Sequence, residues 1–227
     1  MQDEFYLDRL YPLQNEVLRL PALHDSSFYL TGGTALGRYY LNHRYSDDLD
    51  FFTNNQQDFQ KNTEEIIASL RSKFDVEINS TSDSHIMLHI IKYEIQLKID
   101  FVKDVPYRVE SPLSSSLFIR TDHWKNILSN KISALSREAA KDLADLIMIS
   151  KTFDFRWPDV IQHASMKDMW VNELEVSRRI GEFPEKDLIT VKWIRPPDIQ
   201  ELGKSLKIIS KDILLGLDNS LANKSSS

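Results

Sequence analysis

Two aspartates two residues apart, Asp48 and Asp50, stand in the segment Arg44-Tyr45-Ser46-Asp47-Asp48-Leu49-Asp50-Phe51-Phe52, shortly after a pair of glycines in Tyr29-Leu30-Thr31-Gly32-Gly33-Thr34-Ala35-Leu36. On a strand, residues two apart point to the same side of a sheet, so both carboxylates can share one cation. Oxygen-only ligands of this kind suit Mg²⁺ or Mn²⁺ bridging to substrate phosphates. Two glycines between a strand and a helix let the backbone approach an anion closely, and the helix N-terminus adds N–H donors and a positive dipole end. Gly32, Gly33 and Thr34 are therefore candidate phosphate contacts. A two-aspartate cation site is short of ligands and of a base for an attacking hydroxyl, so a third carboxylate is expected from a neighbouring strand. Asp100 fits, because it lies in the alternating run Glu94 to Val102 and faces away from Ile99 and Phe101.

Each feature also has a plain reading. Gly-Gly punctuates turns everywhere, and Asp47 and Asp48 fit a solvated turn or a helix cap. Asp50 is harder to explain that way, since it sits between Leu49 and Phe51-Phe52, where an unpaired carboxylate is costly to bury. Arg44 has two readings, a phosphate or acceptor contact and a surface role. His43, His85, His89, His123 and His163 are scattered without metal-type spacing beyond the i, i+4 pair His85 and His89, which falls in an expected strand, and they read as structural.

The elements that must position these groups follow from periodicity. Leu7, Leu10, Tyr11, Leu13, Val17 and Leu20 predict an amphipathic helix over 5–20, ended by Pro21. Phe28 to Leu30 reads as a strand entering the glycine turn, a helix follows from Thr34, and Leu49 to Phe52 reads as a strand. A helix over about 57–74 carries Phe59, Ile66, Ile67, Leu70 and Phe74. Three β-rich runs come next, at Val76 to Ile78, Ile86 to Ile91 and Ile95 to Val102, then a loop from Pro106 to Ser116. Residues 126–150 lack Gly and Pro and read as helix, with a turn expected at Ser136 to Glu138; Pro158 to Ile180 and Asp198 to Leu217 read as shorter helices. The expected fold is α+β, a mixed β-sheet flanked by helices and followed by a helical C-terminal part. The expected boundaries are 1–120, 121–220 and a frayed polar tail over 221–227.

The chain has 227 residues with 41% hydrophobic content, enough for a real core. Zero cysteines exclude disulfides, thiol catalysis and cysteine-ligated metals. No apolar run approaches the roughly 20 residues needed to span a bilayer, and the acidic start Met-Gln-Asp-Glu-Phe does not read as a secretory signal, so a cytoplasmic protein without a membrane partner is expected. A net charge of −6 argues against a broad basic nucleic-acid surface, though a nucleic acid gripped at one end needs only a few phosphate contacts.

Glycine turn, helix, Asp-x-Asp strand and later Asp together resemble the nucleotidyltransferase superfamily. Gly32-Gly33-Thr34-Ala35-Leu36, His43-Arg44 with Ser46, Asp48-Leu49-Asp50-Phe51-Phe52, Lys131-Ile132-Ser133-Ala134-Leu135-Ser136-Arg137, and Lys141-Asp142 with Asp145-Leu146 are similar to the AbiEii/AbiGii toxin family within it. The resemblance runs from about residue 28 to about 150, and nothing after 155 adds to it. It implies a sheet of nucleotidyltransferase type and a Mg²⁺- or Mn²⁺-dependent enzyme that moves a nucleoside monophosphate from a nucleoside triphosphate to an acceptor hydroxyl. The family is often the toxin of a toxin–antitoxin or phage-defence pair, which would bring a cognate antitoxin; the acceptor is left open among RNA (tRNA), a protein hydroxyl and a small molecule. Asp48, Asp50 and Asp100 become the catalytic and metal-binding acids, Lys131 a cation for the triphosphate, and Arg137, Lys141, Asp142 and Asp145 the rest of a second nucleotide motif. The superfamily usually has Gly-Ser where this chain has Gly32-Gly33, which removes a phosphate-binding hydroxyl unless Thr34 supplies it. Two other functions fit the same residues, γ-phosphoryl transfer and a catalytically inactive nucleotide- or partner-binding module. Three converging acids argue against the inactive module.

Overall fold

A computed structural model describes residues 2–222. Contacts gather into two compact units, one up to His123 and one from Trp124. The first is built on a five-stranded mixed sheet ordered β1-β2-β5-β4-β3, with β1 at Tyr29–Thr31, β2 at Leu49–Thr53, β3 at Asp75–Thr81, β4 at His85–Lys92 and β5 at Ile95–Lys103. Only β2 and β5 run parallel; the other pairs are antiparallel. Alternation decides the faces. Leu97, Ile99 and Phe101 of β5, Ile86, Leu88 and Ile90 of β4, and Leu49 and Phe51 of β2 are buried on one side, which leaves Asp50, Lys98, Asp100 and His85 on the other.

The buried side closes over aromatic rings. Phe51 stacks on Phe101 at 5.6 Å, Phe28 meets Phe101 edge-on at 5.1 Å, and Phe59 and Phe118 complete the cluster. Phe59 opens helix α5 (Phe59–Arg71), whose buried Phe59, Thr63, Ile66, Ile67 and Leu70 form one stripe. The long connection after β5 runs back along β1: Leu30 donates to the Arg120 carbonyl and accepts from the Asp122 amide, both at 2.8 Å. Arg120 fastens it further by donating to the carbonyls of Leu23, His24 and Phe28.

The N-terminal helix is expected as one element ended by Pro21 and differs in two ways. It runs through α1 (Gln2–Glu4), a π-helical stretch Phe5–Leu10 and α2 (Tyr11–Leu18). Pro12, which has no N–H to give, lies where the wide turns yield to α-helix. The helix stops at Leu18, and Pro21 starts α3 (Pro21–Asp25) at a first-turn position where its fixed φ suits a helix.

The second unit is helical: α6 (Trp124–Ala134), α7 (Ala140–Thr152), α8 (Trp157–Ser165), α9 (Glu173–Glu182) and α10 (Ile199–Leu214), with 3₁₀ turns at Leu135–Arg137 and Glu185–Thr190. Glu138, left-handed at φ 52°, breaks α6 from α7. A buried ion trio then ties the two together, with Lys131 Nζ 2.5 Å from Asp142 Oδ1 and 2.8 Å from Asp145 Oδ2. Asp198 caps α10 by accepting from the amides of Gln200 and Glu201, and Asn172 caps α9 at the Glu175 amide. The tail expected over 221–227 lies outside the described residues from 223 on. Among the described residues, no helix is long and apolar enough to cross a membrane.

The aromatic cluster and the ion trio can each be tested by stability. Phe101→Ala, at a fully buried position touching Phe28 and Phe51, should lower unfolding free energy by about 3–5 kcal/mol, read by urea denaturation. Lys131→Met strands two buried carboxylates and should cost about 3–5 kcal/mol; adding Asp142→Asn and Asp145→Asn should restore most of it. A single variant as stable as the parent would show that the trio does not couple α6 to α7.

Candidate active site

β1 ends in the left-handed region at Gly32, φ +68°. A Cβ there would lie 2.2 Å from Asp50 Oδ2 and 3.3 Å from Asp50 Cβ, so the aspartate occupies the space a side chain would take. Only glycine satisfies both the dihedral and the approach. At Gly33 a Cβ would meet Arg44 Nη2 at 2.5 Å and Ser46 Oγ at 2.9 Å; at Gly37 it would meet the Arg44 carbonyl at 2.8 Å. The helical run α4 (Gly32–Ala35) and its π-helical continuation Leu36–Tyr40 thus lie directly against the segment that leads into the acid strand. Thr34 is fully buried and donates its hydroxyl to the Asp48 carbonyl. The Thr34 hydroxyl, expected as a phosphate contact, is thus engaged with backbone.

The sheet brings the acids together. Thr31 pairs with Asp50 across β1 and β2, and Asp50 pairs with Asp100 across the parallel β2 and β5, where neighbouring backbones lie about 4.8 Å apart. Asp48 precedes the strand by one residue and is half-buried, like Asp50; Asp100 is buried. Asp100 has both oxygens engaged: Oδ1 lies 2.7 Å from His85 Nε2, and Oδ2 2.7 Å from Lys98 Nζ. Burial works against the Lys98 ammonium, but the hydrogen bond to Asp100 and the charges of Asp100, Asp48 and Asp50 hold its pKa above the ordinary lysine value. Lys98 is thus a cation set among three acids.

Lys98 and His85 are the residues that sequence reasoning missed. Lys98 carried a signal, since it stands two residues before Asp100 on an alternating strand and so shares its face. His85, expected to be structural, is a partner of Asp100 through the β4–β5 pairing, in which Met87 faces Asp100 and His85 faces Val102. That register is set by the turn at Tyr93 and Glu94, both at positive φ. The position usually carries Asn-Gly, so nothing in the residue types marked it.

The segment ahead of the acids is held almost peptide by peptide. Tyr6 donates to Asp47 and stacks on Tyr45 at 4.2 Å with 8° between the rings. Tyr11 accepts from the Ser46 amide, and Gln14 donates to the Ser46 carbonyl at 3.1 Å. Burial raises the Tyr11 phenol's pKa, keeping it protonated. Arg44, for which a surface role was one reading, is buried and donates to the Tyr45 carbonyl at 3.0 Å. Asp47 and Asp48 are adjacent but divided in role: Asp47 anchors to the N-terminal helix, and Asp48 lies next to the strand of Asp50.

Among the described residues, no group of three or more His, Asp or Glu side chains is gathered as a ready-made metal site. The donor chemistry still fits a hard cation. Mg²⁺ is commonly held by one or two carboxylates with substrate phosphates and waters filling an octahedron, and Asp48 with Asp50 could supply that pair. In the second unit, Lys131, Asp142 and Asp145 meet one another in the buried trio. Arg137 and Lys141 are exposed, on the 3₁₀ turn and the first turn of α7.

The fold recurs in known structures. A candidate nucleotidyltransferase from Helicobacter pylori superposes with TM-score 0.61 at 21% identity, covering 93% of this chain and 97% of that one. JHP933, also from Helicobacter pylori, gives 0.60 at 21% identity over 92% and 94% of the two chains. Comparison with curated protein sequences gives no match. A family model described as nucleotidyl transferase AbiEii toxin, type IV toxin–antitoxin system, matches residues 18–208. The match corrects the range read from the motifs, since it continues past residue 155 through α8 and α9 into α10. With its glycine turn lying against an acid strand in a nucleotidyltransferase-type sheet, and with that match over most of its length, this chain belongs to the AbiEii nucleotidyltransferase toxin family.

Proposed function

We propose that the chain transfers a nucleoside monophosphate from a nucleoside triphosphate to an acceptor hydroxyl, with Asp48, Asp50 and Asp100 as the reacting acids. The observation that carries this reading is the alignment of Asp50 with Asp100 on adjacent parallel strands, with Gly32 pressed against Asp50. Mg²⁺ or Mn²⁺ held by Asp48 and Asp50 would offset the negative charge that builds on the α-phosphoryl oxygens. The backbone N–H groups of the turn at Gly32 and Gly33 would meet the phosphates, while the absent side chains leave room for Asp50, Arg44 and Ser46. Asp100 polarises the acceptor hydroxyl and takes its proton as the oxygen bonds to the α-phosphorus, the α–β anhydride breaks and pyrophosphate leaves. Lys98 and His85 fix the Asp100 carboxylate, and Lys98 limits repulsion among three acids packed together. As the toxin of a two-gene pair, the enzyme would act on a cellular RNA, such as tRNA, or on a protein, and would have a cognate antitoxin.

The assay offers each nucleoside triphosphate, labelled at the α- or γ-phosphate, with Mg²⁺ and total cellular RNA and protein. α-Label should move onto a macromolecule and be lost in Asp48→Asn and Asp50→Asn variants that keep the parent's circular dichroism. Full transfer by either variant would refute the assignment, and γ-label alone would make the enzyme a phosphoryl transferase. Gly32→Ala should behave like Asp50→Asn, because its methyl occupies the position of the Asp50 carboxylate.

Lys98→Met tests the positioning role. It should lower turnover by about 10–100-fold and alter Mn²⁺ affinity measured by electron paramagnetic resonance without nucleotide. Unchanged turnover together with unchanged Mn²⁺ binding would remove Lys98 from the site.

A further inference from the structure

The first unit also holds a polar recess of about 300 Å³, lined by Asn15, Leu18, Arg19, Arg38, Ser116 and Leu117. Two of these are guanidinium groups, and none is acidic, in a chain whose net charge is −6. Arg38 is rigidly placed. Its Nη1 donates to Gln14 Oε1 at 2.9 Å, its Nη2 to Asn15 Oδ1 at 2.6 Å, and its plane lies 4.3 Å from the centre of the Tyr11 ring. All three partners are neutral. Burial draws its pKa down, and no carboxylate is among the charges acting on it. Arg19 follows the last turn of α2 and is exposed, with no ion pair among the described residues.

A guanidinium taken largely out of water is normally matched by a carboxylate of the same chain, because an uncompensated buried charge is costly. Here two cations border one recess, and no acidic side chain lines it. Arg38 keeps donors beyond those it gives to Gln14 and Asn15, and its fork is already immobilised, so little entropy is lost on binding. The Asn15 amide nitrogen and the Ser116 hydroxyl add neutral donors at the wall.

We propose that this recess is a phosphate-binding site separate from the acid cluster, with Arg38 as its fixed fork and Arg19 closing from the rim. The ligand class is a phosphate oxyanion, present as free phosphate, as a nucleotide or as one link of a polynucleotide backbone. Two guanidiniums suit the group that these share. Arg38 lies six residues beyond Gly32 on one continuous helical run. The recess and the glycine turn are thus at opposite ends of the same element.

Calorimetric titration of the full chain with inorganic phosphate, a nucleoside monophosphate and a short RNA oligonucleotide, without divalent metal, distinguishes the sources. At least one should bind, and Arg19→Gln, at an exposed position whose loss disturbs no packing, should weaken it about 10–100-fold; Arg38→Lys should weaken it as well, by losing the fork. Asp50→Asn should leave the affinity unchanged, which separates this site from the transfer reaction proposed above. If the oligonucleotide is the ligand, the slope of log affinity against log salt should fall by about 0.7 in Arg19→Gln. No binding of any probe, equal binding by Arg19→Gln, or binding lost in Asp50→Asn and kept in Arg19→Gln would each overturn the proposal.

Discussion

Where β1 meets β2, the carboxylate of Asp50 occupies the volume that a side chain at residue 32 would fill. Much of the first unit can be understood from that contact. It requires a left-handed residue without a Cβ at the end of a strand, so the chain turns there and starts a helix with its N–H groups beside the acid. It also requires β1 and β2 to pair with Thr31 opposite Asp50, which in turn sets where the helix lies. Gly33 and Gly37 extend the same closeness along the helix, each leaving room for an atom of Arg44.

Close approach of this kind holds only if the approached segment does not move. Residues 44–47 have no regular strand to hold them, and the N-terminal helix provides the restraint through Tyr6, Tyr11 and Gln14. On the opposite edge, Thr31 donates to the buried Asp122, which also accepts from Arg108, and the Arg108 guanidinium lies 4.0 Å from the Tyr29 ring centre. The residue beside the glycine turn is thus tied to the long connection after β5. Side chains far apart in sequence fix a few residues of backbone, and the carboxylates inherit that fixity.

The sheet and its helices were legible because their signals are periodic. Strands β2, β4 and β5 and helices α5 and α7 show the alternation or stripe that burial imposes. The acids were legible because chemistry restricts residue type: Asp48, Asp50 and Asp100 are expensive in apolar settings unless used or paired. Relations between elements were less visible. The turn at Tyr93 and Glu94 has no glycine to announce it, so the β4–β5 register, and with it His85 beside Asp100, could not be read. Lys131 with Asp142 and Asp145 showed the reverse case. Their types were recognised as a motif, but only the break at Glu138 folds α6 and α7 so that the ammonium lies between the two carboxylates.

The π-helical stretch Leu36–Tyr40 gives the site a dependence that is counted in residues. A wide turn of this kind accommodates one residue more than an α-helix would over the same rise. That extra residue is already taken up by the wide turn; one more inserted ahead of Gly37 would find no further slack and would rotate the chain beyond it by about 100°. Gly37 would then no longer face the Arg44 carbonyl, and the loop that carries the first two aspartates would leave its seat although every acid remained in the chain. In this part of the protein, length is as strictly constrained as residue identity, and natural variation should substitute within 32–50 far more readily than it inserts or deletes.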